Sequence, residues 1–161
     1  MKILIIDDER SIRNSLKEIL VDEGYDVDLA ENGSQGCAMV DKEKYSVIFC
    51  DIKMPEMDGM EVLDRFNQMG IDAAVVMISG HGDIAVAVEC IKKGAFDFIP
   101  KPLDLNRILI TIKNATEKVS LVKETKILKK KVYGQEMVAV KFHCNSLKAL
   151  IITSKSTKTR K

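Results

Sequence analysis

Five polar residues stand where short apolar runs end: Asp7 and Asp8 in "LIIDDE", Asp51 in "VIFCD", Ser79 in "VVMIS" and Lys101 in "FIPKP". A lone Asp at a strand end is usually a turn former. Three carboxylates gathered on one rim are different, because their mutual repulsion demands a compensating cation. A hard divalent ion with oxygen ligands meets that demand, and Mg²⁺ suits a site with few carboxylates. A carboxylate beside such an ion and a lysine ammonium is placed to attack a phosphoryl group. The two cations spread the charge on its oxygens, and a serine hydroxyl on the neighbouring strand binds one of them. The chemistry these residues predict is phosphoryl acceptance at one of the carboxylates.

The elements that must position them follow from hydrophobic period. Ile- and Val-rich runs occur at "KILII", "DVDLA", "SVIFC", "AAVVMIS" and "DFI". Helical spacing follows each of the first four. It is predicted from Ser11 to Val21 with Ile12, Leu16, Ile19 and Leu20 on one face, and from about residue 34 to 44. It recurs from Met60 to Met69 with Val62, Leu63 and Phe66 inward, and from Asp83 to Lys93 with Ile84, Val88 and Ile91 inward. Near-continuous apolar strands alternating with helices predict a doubly wound α/β fold, a parallel sheet covered on both faces. In such a sheet, sites form at the carboxyl ends of the strands. The five polar residues stand there.

A fifth helix is predicted from Asp104 as N-cap. Its apolar positions Leu105, Ile108, Ile112, Ala115, Val119 and Val122 step by three and four in a heptad-like stripe, and the register slips afterwards. This stripe is expected to pair with a second copy as a weak homodimer. The predicted division is a domain over 1–120, a helical linker over 121–135 and a basic tail over 136–161.

Charge also marks two segments, with its boundary near Pro102 to Asp104. The net charge of +1 hides 11 Lys/Arg against 21 Asp/Glu in residues 1–104, and 14 against 3 in residues 105–161. A hydrophobic content of 46% supplies a core, and no apolar run is long enough to span a membrane. Without a signal-peptide pattern, the expected location is cytoplasmic. Cys37, Cys50, Cys90 and Cys144 show no C-x-x-C spacing and read as small hydrophobes, and His81 and His143 suggest no metal site.

The motifs "LIIDDE", "CDIKMPEMDG", "MISG" and "FIPKP", in this order and spacing, resemble the receiver domains of two-component response regulators over roughly residues 1–120. "ISGHGDIAVAVECIKKGAFDFIPKP" resembles the NtrC-type subgroup, and "LVKETKILKKKV" the linker of its NtrX-like members. The resemblance implies a flavodoxin-like five-stranded sheet of order 2-1-3-4-5 with five helices. It implies phosphorylation of Asp51 by a sensor histidine kinase. Mg²⁺ would be held by Asp8 directly, by Asp7 mainly through water, by Asp51 and by the backbone carbonyl of Lys53. Lys101 would contact the phosphoryl group across a cis Lys101–Pro102 bond. Ser79 and Phe98 would be the hydroxyl and aromatic switch positions, where many relatives carry Thr and Tyr. The protein would be a phosphoacceptor with self-dephosphorylation rather than an enzyme in the usual sense.

Two other classes fit less well. A metabolite phosphatase with an Asp nucleophile wants D-x-D on one loop, and a flavodoxin-like cofactor binder wants a Ser/Thr/Gly-rich loop where "DDERS" stands. Output is a separate matter. No phosphate-loop motif and no helix-turn-helix pattern occurs after residue 104. DNA contact is therefore expected only through an output domain missing from this chain, and the basic tail 136–161 reads either as the start of such a domain or as an extension of a short receiver. The alternative is a stand-alone receiver acting as a phosphate sink or a protein-interaction module.

Overall fold

The computed structural model describes residues 1–80 and 84–117. Five strands, β1 (Lys2–Ile6), β2 (Asp26–Ala30), β3 (Val47–Asp51), β4 (Ala74–Ser79) and β5 (Asp97–Pro100), form one parallel sheet in the order β2-β1-β3-β4-β5. Four helices connect them: α1 (Arg10–Asp22), α2 (Gly33–Lys42), α3 (Gly59–Met69) and α4 (Ile84–Lys92). A fifth, α5, spans 105–117. These elements lie within one compact unit, Met1–Val119. The doubly wound fold predicted from the apolar runs is the fold observed.

The alternation of side chains along each strand divides the core in two. On one face Ile3, Ile5, Phe49, Val76 and Ile78 pack with Leu16 and Leu20 of α1 and with Ile108 and Ile112 of α5. On the other, Leu4, Ile6, Ile48, Cys50 and Met77 pack with Val62, Leu63 and Phe66 of α3 and Cys90 of α4. β3 and β4 are buried along their whole lengths, which explains their unbroken apolar composition.

Local chemistry ends the helices where the sheet needs them to end. Asp58 accepts from the Glu61 amide at 2.8 Å and Glu61 reaches back to the Asp58 amide at 3.3 Å, a reciprocal cap that starts α3 seven residues after Asp51. Gly70 closes α3 at φ 64°, in the left-handed region that glycine enters without strain. Asp104 caps α5 as predicted, accepting from the Arg107 amide at 2.8 Å.

Two predicted faces are corrected. In α4, Ile84, Val88 and Ile91 face solvent (80%, 46% and 48% exposed), while Cys90 is fully buried and Val86 packs against the core. The sequence "IAVAVECIK" is apolar almost all round, so two polar residues, Glu89 and Lys92, were too few to orient it. In α5, Ile108, Ile112 and Ala115 are buried against their own sheet. Each such burial of an isoleucine is worth on the order of 1.5–3 kcal/mol, so these positions are not free to pair with a second copy. Of the predicted stripe only Leu105 is exposed among the described residues; Val119 and Val122, like the linker 121–135 and the tail 136–161, lie outside them.

Candidate functional site

Strand register brings the polar residues to one edge. Ile6 pairs with Cys50, so Asp7 and Asp51 end their strands at the same level, and Ser79 pairs with Pro100 immediately before Lys101. The oxygens of Asp7, Asp8 and Asp51 lie within 4.8 Å of one another. Asp7 is fully buried, Asp51 is 3% exposed and Asp8 is exposed. The Lys101 ammonium is 3.1 Å from Asp7 Oδ2, 3.1 Å from Asp51 Oδ1 and 3.3 Å from Glu9 Oε1. Lys101 directly follows β5, its peptide bond to Pro102 is cis, and its amide donates to the Ser79 carbonyl at 2.7 Å. That bond ties the lysine's backbone to the strand carrying Ser79.

Burial and neighbouring charge act against one another in this cluster. Burial pushes the Asp51 carboxyl above its usual range, and the nearby Asp7 and Asp8 charges add to that, while Lys101 pulls it down. For Lys101 burial works against the ammonium, but the neighbouring carboxylates of Asp7 and Asp51 prevail and hold it well above its usual value. Asp7 Oδ2, although close to Lys101, accepts no well-directed hydrogen bond. An unsatisfied buried carboxylate oxygen is costly. Here it faces two further carboxylates, and this all-oxygen donor set fits Mg²⁺.

Ser79 is buried at the end of β4. Phe98 is half-buried in β5, opposite Met77, and packs on the face of the sheet that α4 covers. Lys53 stands exposed two residues beyond β3. The predicted group of Asp7, Asp8, Asp51 and Lys101 is thus brought together, with Ser79 on the adjoining strand end.

Two residues were missed. Glu9 is the third carboxylate on Lys101 and N-caps α1. Arg13 is buried in α1, with Nη1 donating to the carbonyls of Asp7 at 2.7 Å and Asp8 at 2.9 Å. Its signal was its position three and seven residues before Leu16 and Leu20, on the stripe those leucines bury.

The geometry separates the lysine from the metal role. Lys101 sits among the acids as their counter-ion, so a bound divalent ion would feel it as a like charge. Lys101→Ala is therefore expected to leave Mg²⁺ affinity unchanged or tighter. It should slow phosphoryl transfer to the site by roughly 10- to 100-fold, since it removes a donor to the developing charge. Mg²⁺ titration beside single-turnover labelling checks this; a large loss of Mg²⁺ affinity would mean that the lysine organises the acids.

A model of the response regulator receiver domain matches residues 3–113. The nitrogen assimilation regulatory protein NtrX of Azorhizobium caulinodans is 36% identical over 151 residues, covering 92% of this chain and 33% of the relative. The chemotaxis protein CheY of Listeria monocytogenes is 38% identical over 118 residues, covering 73% of this chain and 99% of CheY. Among solved structures, NtrX from Brucella abortus in complex with ADP superposes with a TM-score of 0.75 at 36% identity, over 79% of this chain and 29% of that one. The chain spans about a third of the length of the NtrX relatives it matches.

Proposed function

Because this chain belongs to the response regulator receiver family of two-component systems, we propose that it is a phosphorylation-switched signalling module whose acceptor is Asp51. The observation that carries this reading is the convergence of Asp7, Asp8 and Asp51 within 4.8 Å around the Lys101 ammonium. An Asp51 oxygen attacks the phosphorus of a phosphohistidine on a sensor kinase, or of a small acyl phosphate. A P–O bond forms to the carboxylate, and the donor leaves with its electron pair.

Asp8, Asp7, Asp51 and the Lys53 carbonyl are the groups that would hold Mg²⁺, which when bound neutralises charge on the phosphoryl oxygens. Lys101 meets one of those oxygens. Ser79 takes another by its hydroxyl, and Phe98 follows it inward, which alters the surface formed by α4 and β5. Loss of the phosphoryl group to water resets the switch without further catalysis. In the cytoplasm of the parent cell, that surface would set homodimer formation and, through an output domain of the NtrX kind, transcription.

The labelling experiment is direct. Incubation with acetyl phosphate and Mg²⁺ is expected to add one phosphoryl group, and chelator to abolish it. Labelling indifferent to chelator overturns the reading.

The donor protein has a place to sit. A groove of about 370 Å³ between α1 and α5 is lined mainly by Ile12, Leu16, Ile19, Pro102, Leu103 and Ile108, and Lys101 forms its edge. A kinase presenting its phosphohistidine to Asp51 has to cover the rim beside it, and this apolar groove is continuous with that rim. Ile12→Glu is expected to lower transfer from the cognate kinase by roughly tenfold or more, the size of a lost interface anchor, and to leave labelling by acetyl phosphate intact. Equal losses with both donors would place the defect in the acceptor site.

A further inference from the structure

Arg13 is a buried charge to which the phosphoryl-acceptor reading gives no task. It lies in the first turn of α1, 6% exposed, beside Ile12 and ahead of Leu16. A cation there opposes the helix dipole, and a buried guanidinium is costly unless its hydrogen bonds are good. An apolar residue at this position would avoid both costs. What the guanidinium does instead is specific: one nitrogen, Nη1, binds the backbone carbonyls of two consecutive residues, Asp7 at 2.7 Å and Asp8 at 2.9 Å. Nη2 lies 3.9 Å from Glu31 Oε1, an exposed carboxylate just beyond β2.

Those two carbonyls belong to the residues whose carboxylates must act together. In extended chain, consecutive side chains point to opposite sides. Asp7 and Asp8 nevertheless bring carboxylate oxygens within 4.8 Å of each other and of Asp51. The backbone must therefore leave the extended path after β1, and its Asp7 and Asp8 carbonyls are the ones that Arg13 holds. The Glu9 amide closes the turn on the outside by donating to Asp7 Oδ1 at 2.8 Å. Arg13 closes it on the inside.

We infer that Arg13 is a positioning residue for the divalent-cation site: it holds the Asp7 and Asp8 carbonyls inward so that both carboxylates face Asp51. This rests on the proposed Mg²⁺ role of the acids. The sign of the effect separates it from the alternatives. Through-space charge alone would make Arg13 repel the cation, so neutralising it would tighten binding. A purely packing role would leave affinity unchanged. Positioning makes its loss weaken binding.

The experiment is isothermal titration of Mg²⁺ into the full chain, for the parent, Arg13→Met and Arg13→Lys, each checked for folding by circular dichroism in chelator-treated buffer. Arg13→Met is expected to weaken Mg²⁺ binding by about 10- to 100-fold, as loss of an outer partner of a metal ligand does. Arg13→Lys keeps the charge, but its shorter stem and non-planar head place the donor differently from Nη1, and it is expected to recover only part of this. Where Arg13→Met does not fold, Arg13→Lys carries the test with a loss of at least about threefold, roughly half in logarithmic terms of the tenfold lower limit for a full loss. Affinity unchanged or tightened in a folded Arg13→Met overturns the inference, as does full recovery by Arg13→Lys. Failure of both variants to fold makes Arg13 a stability residue and also overturns it. A parent chain that binds no Mg²⁺ removes the metal reading of the acids themselves, a result distinct from parent binding that Arg13→Met leaves intact.

Discussion

Asp51→Asn is expected to abolish phosphoryl labelling by acetyl phosphate completely while leaving the metal-free protein more stable than its parent at neutral pH. The first effect follows from chemistry, since an amide lacks the nucleophilic oxygen. The second follows from the environment of the carboxyl. Burial, with Asp7 and Asp8 adding to it, outweighs Lys101 and raises the folded-state pKa of Asp51 above its usual value of 3.8. As pH rises, the unfolded chain therefore releases this proton before the folded one does. The stability that the protonated group contributes is full below the unfolded value and is lost as pH climbs through the folded one. Asn cannot ionise and avoids that loss.

The melting temperature of Asp51→Asn in chelator should thus exceed that of the parent at pH 7, with the gap closing toward pH 3. Mg²⁺ should reverse the order, because a ligand at about 100 times its dissociation constant stabilises the parent by about 2.7 kcal/mol and Asp51→Asn has lost the negative charge of one ligand. Intact-mass labelling and thermal scans with and without Mg²⁺ check both parts. Undiminished labelling of Asp51→Asn would move the acceptor elsewhere. Equal stability at pH 7 would mean that Lys101 compensates the buried carboxyl fully.

What the sequence disclosed about this site, and what it withheld, has a physical division. Asp51, Ser79 and Lys101 were legible because a buried parallel strand is a continuous apolar run, and the first polar residue after it marks the strand's carboxyl end. Strand register then brings those ends together, as the Ile6–Cys50 and Ser79–Pro100 pairs do. Arg13 was hidden because helical period sorts apolar from polar residues, and a buried arginine violates the sort. Its partners are backbone carbonyls, which every residue possesses and which leave no mark in the sequence. α4 failed for the opposite reason: with nearly every position apolar, period conveys no direction, and Ile84 ended 80% exposed where burial was expected. In α5 the period was right and its use was not. A stripe that steps by three and four serves a sheet as readily as a second helix, and Ile108 and Ile112 are spent on their own core.

Gly59→Ala is expected to destabilise the domain by about 3 kcal/mol, the upper end for forced overpacking, and to lower its melting temperature by roughly 10 °C. The cause is contact with the strand end that carries the acceptor. Gly59 opens α3, and its amide donates to the Ile52 carbonyl at 2.8 Å. A methyl group placed there would lie 2.2 Å from the Asp51 carbonyl oxygen and 2.8 Å from Ile52 Cα. Both are backbone atoms, so no side-chain rotation relieves the clash; either α3 or the end of β3 has to move. Movement of β3 carries the Asp51 carboxylate away from Asp7, Asp8 and Lys101, so labelling by acetyl phosphate should fall along with stability.

Gly36→Ala supplies the control. Its methyl would meet the buried Ile6 side chain, Cδ1 first, and no backbone atom of the strand end that carries Asp51. It should cost less, and labelling at a temperature where both variants are folded should be retained. Gly70→Ala adds the conformational reference, since φ is 64° there and among the described residues nothing lies within 4 Å of where a Cβ would stand, so a loss of about 1 kcal/mol from backbone strain alone is expected. If Gly59→Ala behaves like Gly70→Ala in stability and labels at the parent rate, the approach of α3 to Asp51 is slack. The acceptor's position is then set by the sheet alone.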